Sequence, residues 1–136
     1  MRAATPATTE RPRLVEEVYQ PGAVTVDFYE RLTEVARRMR DEDIGAVIVV
    51  EDGETAGILT ERDLVQAVAD GVALATTIAA DYMMTDLLMV ELDTSLEEAG
   101  RLMAAGHVRH LPVADGGGLL GMVSARDLVG LPGDGS

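Results

Sequence analysis

Gly57-Ile58-Leu59-Thr60-Glu61-Arg62-Asp63-Leu64-Val65 is written a second time, 64 positions on, as Gly121-Met122-Val123-Ser124-Ala125-Arg126-Asp127-Leu128-Val129. The register holds upstream without a gap. Val26 falls on Val90, Leu32 on Leu96, Glu34 on Glu98, Arg37 on Arg101, Met39 on Met103, Val49 on Val113 and Gly53 on Gly117. One offset kept over so long a stretch marks a single structural unit present twice.

Each copy reads as strand, helix, strand, strand, helix. Short apolar runs, Ala23 to Val26 and Leu87 to Leu92, open the copies as strands. Helices are expected over Asp27 to Arg40 and Thr94 to Ala105. In the first, Leu32, Val35, Ala36 and Met39 recur at the spacing of one buried helical stripe, and Leu96, Ala99 and Met103 do so in the second. Thr94 with Glu97 three residues later has the form of a capping box. The β-branched run Ala46 to Val50 and its counterpart Leu111 to Ala114 each meet a turn, Asp52-Gly53 or Gly116-Gly117-Gly118, that suits a hairpin. Strands Ala56 to Leu59 and Leu119 to Val123 return, and closing helices start near Thr60 and Ser124. The expected division is a mobile tail 1–13, a first repeat 14–70, a linker 71–77, a second repeat 78–131 and a mobile tail 132–136. Ile78 to Met83 is expected to make a short helical turn leading into the second repeat.

Composition narrows the function. Of 136 residues, 24 are acidic and 11 basic, a formal charge of −13. No basic stripe is present to displace counterions from phosphates, so neither nucleic acid nor an anionic membrane is an expected partner. There is no cysteine, hence no disulfide, thiolate nucleophile or zinc thiolate site. No apolar run is long enough to span a bilayer and no signal-peptide pattern opens the chain, so a cytoplasmic location is expected. Glycine-rich phosphate loops and metalloprotease motifs are missing, and an enzyme is not expected. His107 and His110 stand three apart at the entry to a strand without a third ligand, so no metal site is expected either.

The pattern Gly-apolar-x-Ser/Thr-x-x-Asp, intact in both copies after a hairpin, resembles the CBS domain family, whose domains usually occur as tandem pairs (Bateman modules). The resemblance runs from about Val15 to Leu131. A Ser or Thr at a helix start exposes its hydroxyl beside free backbone N–H groups, where an anion is favoured. A carboxylate one turn on can accept hydrogen bonds from the two hydroxyls of a ribose. The same residues can also simply cap the helix.

The resemblance implies an α/β (α+β) fold, two repeats packed as a pseudo-twofold pair, and a homodimer. It assigns Asp63 and Asp127 to ribose, and Thr60 and Ser124 to phosphate. Val24 to Val26 and Leu88 to Val90, with Val26 and Val90 at their ends, become walls for an adenine. Arg62 and Arg126 follow as phosphate partners. Arg109 and His110 match the family stretch where basic side chains approach phosphate. Their counterparts are Gly45 and Ala46, so the two sites are expected to be unequal, in either order. The implied function is a regulatory sensor of an adenine nucleotide (AMP, ADP or ATP) or of S-adenosylmethionine, acting in trans on a protein effector. The alternative is a ligand-independent dimerisation or scaffold module.

Overall fold

The computed structural model describes residues 13–129, and the two expected tails lie outside them except for Arg13. In chain order the elements are β1 (Gln20–Pro21), β2 (Thr25–Asp27), α1 (Leu32–Glu42), β3 (Ala46–Glu51), β4 (Glu54–Thr60), α2 (Glu61–Ala69), β5 (Val90–Glu91), α3 (Leu96–Gly106), β6 (His110–Asp115), β7 (Gly118–Ser124) and α4 (Ala125–Val129). Short 3-10 turns occur at Val15–Glu17 and Ala79–Asp81. The strand, helix, strand, strand, helix order of each repeat is as the sequence predicts. The elements group into two compact units, one of residues 22–87, the other of residues 13–21 together with 88–129.

In the unit of residues 22–87 the sheet order is β2-β3-β4, β2 parallel to β3 and β3 antiparallel to β4. Asp52 and Gly53 both take positive φ, 52° and 81°, which lets a two-residue turn follow the twist of the strands. Leu32, Val35 and Met39 of α1 are buried against Val26, Val47, Val49 and Leu59 of the sheet and Ala67 of α2. Helix α1 starts at Leu32, later than the expected Asp27. The Asp27 carboxylate accepts the Tyr29 N–H at 2.8 Å and the Phe28 N–H donates to Val50 O, so the chain is held to the sheet for another turn. The first amides of α1 are then capped by carbonyls of the stretch read as a linker, Leu32 N to Thr77 O and Thr33 N to Leu74 O.

The other unit repeats this plan with sheet order β1-β7-β6-β5. Its core joins Val90, Leu96, Ala99, Met103, Leu111, Val113 and Val123 with Val15. Here the expected cap is corrected by one residue. Ser95, not Thr94, caps α3, its Oγ accepting the Glu98 N–H at 3.0 Å. The Thr94 hydroxyl instead accepts from Glu91 N, one turn earlier.

Each unit is completed by the segment that precedes the opposite repeat in sequence. Val15 N donates to Thr94 O and Glu16 N to Leu92 O, and the Val15 side chain is wholly buried in the unit of the second repeat. Gln20 and Pro21 pair with Met122 and Gly121. At the same offset of 64, Ala79 N donates to Glu30 O, Ala79 is buried in the unit of the first repeat, and Met84 exchanges backbone hydrogen bonds with Ile58. The expected helical turn within Ile78 to Met83 is present, but it packs on the first repeat.

The approach of these lead-in segments explains the glycine of the repeated pattern. A Cβ at Gly121 would stand 2.1 Å from Gln20 O, and one at Gly57 would stand 2.7 Å from Met84 O. The lead-in of residues 78–84 is also clipped to the end of α2. The Tyr82 hydroxyl donates to Asp70 Oδ2 at 2.7 Å, and Gln66 Nε2 donates to Asp70 Oδ1 at 2.8 Å. The hydrogen bond from Tyr82, then that from Gln66, holds the Asp70 carboxyl below its ordinary value, and bonding to Asp70 raises the Tyr82 phenol.

Two outcomes follow for unfolding experiments. Gly121→Ala should destabilise by about 1–3 kcal/mol, since a backbone carbonyl rather than a flexible side chain must yield, and Gly57→Ala should cost less. Equal midpoints for wild type and Gly121→Ala in urea would contradict this packing. For the Asp70–Tyr82 pair, a lowered carboxyl stabilises above the unfolded value near 3.8, and that contribution is lost as pH falls through the lowered one. A raised phenol stabilises below 10.0 and loses that contribution as pH climbs through the raised value. The stability gap between wild type and Tyr82→Phe should therefore be constant from about pH 5 to 9 and shrink at both extremes. A gap independent of pH at both ends would remove the clip.

Candidate functional site

Thr60 ends β4 and opens α2, with extended backbone at φ −120° and ψ 171°. Its position is set from both sides. Thr60 faces Ala46 in the β3–β4 ladder, and the next amide, Glu61 N, donates to Gly45 O at 3.0 Å. The Thr60 N–H and hydroxyl both donate to Asp63 Oδ2, at 2.9 and 3.1 Å. Among the described residues Asp63 Oδ1 accepts no hydrogen bond, and both side chains are half-buried. Arg62, between them in sequence, is exposed.

Ser124 holds the same place in the other unit, at the end of β7 and before α4. Ser124 N donates to Asp127 Oδ2 at 2.8 Å, and Ser124 Oγ accepts Asp127 N at 3.3 Å. Gln20 Nε2 donates to Asp127 Oδ1 at 3.3 Å. The basic stretch is brought alongside by strand pairing. His110 faces Ser124 in the β6–β7 ladder, and Ala125 N donates to Arg109 O at 2.8 Å. Gly45 and Ala46 occupy the corresponding places beside Thr60, so the unequal distribution of cations read from sequence is also unequal in space. Arg126 is exposed in the first turn of α4. His107 is elsewhere, at the C-cap of α3 in left-handed conformation with φ 56°. No group of three His, Asp or Glu among the described residues could hold a metal ion.

Two of the residues expected as adenine walls lie deep in the fold. Val26 and Val90 are 6% and 2% exposed and belong to the hydrophobic cores of their units. Strand alternation turns them inward, under the helices that follow them. From the same stretches, Val24 is half-buried and Leu88 and Met89 are exposed. Gln20 was not legible as a site residue, because 107 positions separate it from Asp127. Its one signal is that the offset lays Gln20 on Met84, a polar residue against an apolar one.

Each site thus offers a hydroxyl and a carboxylate at the start of a helix. Such a pair accepts hydrogen bonds from vicinal hydroxyls and lies next to the backbone donors that favour an anion. Among the described residues, no helix is long and apolar enough to cross a membrane.

Comparison with known proteins gives this arrangement its context. The family model of the CBS domain matches residues 15–70 and again 79–133. An uncharacterized protein of Methanopyrus kandleri, MK0525, is 38% identical over 118 residues, and the match spans 85% of this chain but 60% of that protein. The crystal structure of the CBS-domain containing protein ATU1752 from Agrobacterium tumefaciens superposes with a TM-score of 0.83 at 31% identity, covering 90% of this chain and 95% of that one. A CBS domain pair solved in complex with 5′-methylthioadenosine and S-adenosyl-L-methionine shares the fold at a TM-score of 0.77 and 19% identity, over 87% and 94% of the two chains. With the same hairpin-to-helix corner built twice and the family model matching both copies, the chain belongs to the CBS domain family and carries that domain as a pair.

Proposed function

We propose that this CBS pair is a regulatory module that binds an adenosine-containing ligand and is read in trans by a protein effector. The observation that carries the reading is the matched pair of corners, Thr60 with Asp63 and Ser124 with Asp127, at one register after identical hairpins. Asp63 and Asp127 take the ribose hydroxyls, and Thr60 and Ser124 lie toward phosphate. Arg62, Arg126, Arg109 and His110 supply cations to a chain that is otherwise strongly acidic. The fold neighbour that holds two adenosine compounds supports this ligand class. AMP, ADP, ATP and S-adenosylmethionine share the adenosine and differ beyond its 5′ carbon, so one titration series separates them. Regulation follows only if the ligand binds two arrangements of the protein with different affinity. We assign the module no catalytic step.

A second reading has its own support. Both carboxylates already close on their own helix starts, which is what a purely structural cap requires. Val65 and Val129, equivalent in the two repeats, are 66% and 70% exposed. Each is an exposed apolar position of the kind that a ligand-independent homodimer or scaffold would cover.

Thermal unfolding with each of the four compounds separates the readings. A ligand at 100 times its dissociation constant adds about 2.7 kcal/mol, a rise of several degrees in midpoint. The control is the double variant Asp63→Asn, Asp127→Asn, because Asn keeps an acceptor for the cap and removes the charge. Replacement by Ala would also remove the cap, at a cost of about 1 kcal/mol. The sensor reading expects a rise in wild type that the double variant lacks. No response to any compound at millimolar concentration would leave the scaffold reading in its place.

A further inference from the structure

The two carboxylates differ in what is left of them. Asp63 gives Oδ2 to the N–H and hydroxyl of Thr60, and among the described residues its Oδ1 accepts nothing. Asp127 gives Oδ2 to Ser124 N, and its Oδ1 accepts Gln20 Nε2. A pair of vicinal hydroxyls needs carboxylate lone pairs to donate to. It finds an oxygen open at Asp63 and both oxygens engaged at Asp127.

The backbone explains why Gln20 reaches Asp127. Gln20 pairs with Met122 in the β1–β7 ladder, and its carbonyl lies so close to Gly121 that no side chain fits there. Residue 20 is thereby fixed beside the strand that runs directly into Ser124 and α4. In the other unit Met84 makes the corresponding bridge with Ile58. A thioether has no N–H to donate, so Asp63 receives no such cover. The difference between the sites is written in one pair of equivalent residues, Gln20 and Met84.

We propose that Gln20 is an internal latch on the Asp127 site, competing with ligand for the carboxylate, so that the Asp63 site accepts an adenosine ligand without this competition. The inference rests on the adenosine-ligand reading above. Displacing the latch exchanges one exposed hydrogen bond, which sets the penalty at about threefold to tenfold in affinity. The phosphate cations Arg109 and His110 stand on the latched side, so ligand discrimination and the latch act on the same site. The backbone of Gln20 holds the lead-in segment in either case, so the side chain can leave Asp127 without unpairing β1.

Titration calorimetry of the full chain with AMP tests this on wild type, Gln20→Met, Asp63→Asn and Asp127→Asn. Gln20→Met installs the residue that the other repeat already has. It should tighten the binding event that Asp127→Asn abolishes, by about threefold to tenfold, and leave the event that Asp63→Asn abolishes unchanged. Unaltered or weaker binding at the Asp127 site in Gln20→Met overturns the latch while the ligand reading stands. A second measurement needs no ligand. The Gln20 side-chain amide resonances of the free protein should shift in Asp127→Asn, and identical resonances overturn the latch by themselves. Absence of binding by AMP and by the other three compounds in every variant overturns the ligand reading, and the latch as a control on binding with it.

Discussion

A backbone carbonyl resting against a glycine organises both halves of this protein. At Gly121 the space a methyl group would need is filled by Gln20 O, and at Gly57 by Met84 O. That contact fixes how deeply each lead-in segment lies on its sheet. From there the lead-in places Val15 or Ala79 in a core between sheet and helix. Fully burying a valine is worth about 1.5–3 kcal/mol, so Val15 is a substantial anchor for a segment whose strand is two residues long. The same glycines stand three residues before Thr60 and Ser124. The corner that builds each candidate site is therefore the continuation of the strand on which the lead-in rests.

The repeat itself was fully legible, because a doubled sequence needs no knowledge of packing to be recognised. Hairpin turns were legible for a local reason: Asp52-Gly53 and Gly116-Gly117 tolerate positive φ, and all four residues adopt it. The buried stripe Leu32, Val35 and Met39 also follows from spacing alone. Helix starts were read less well. Asp27 and Thr94 have the right chemistry for a cap, but each spends its side chain on a nearer amide, Tyr29 N and Glu91 N. Which sheet a lead-in joins could not be read at all, since Val15 is equally apolar beside either one. For the site, Thr60, Asp63, Ser124 and Asp127 were found at the corners where their spacing put them. The burial of Val26 and Val90 in the cores was not legible, because an inward strand position and a ligand wall require the same apolar residue. Gln20 lay out of reach because its partner is at the far end of the sequence.

Electrostatics adds a second layer of order. All eleven basic residues of the chain are arginines. Several are committed to carboxylates one helical turn away, Arg37 to Glu34, Arg38 to Glu42 and Arg101 to Glu98. Exposed pairs of this kind contribute little to stability. Their effect is to neutralise the helix faces locally. Arg109 and Arg126 have no acid three or four residues away in sequence, and both flank Ser124, along the chain or across the ladder. In a molecule of charge −13, that placement puts two of the eleven arginines beside the Ser124 corner.

The exchange of lead-in segments also bears on how the chain matures. Residues 22–87 hold everything their unit requires, so that unit is complete in material once Leu87 has been synthesised. Residues 13–21 are made earlier, yet Thr94, Ser95, Gly121 and Met122, which receive them, are made later. Vectorial synthesis therefore supplies residues 22–87 before it supplies a berth for residues 13–21. Val15 must wait without its core until β7 has been made, and among the described residues the last strand takes the first.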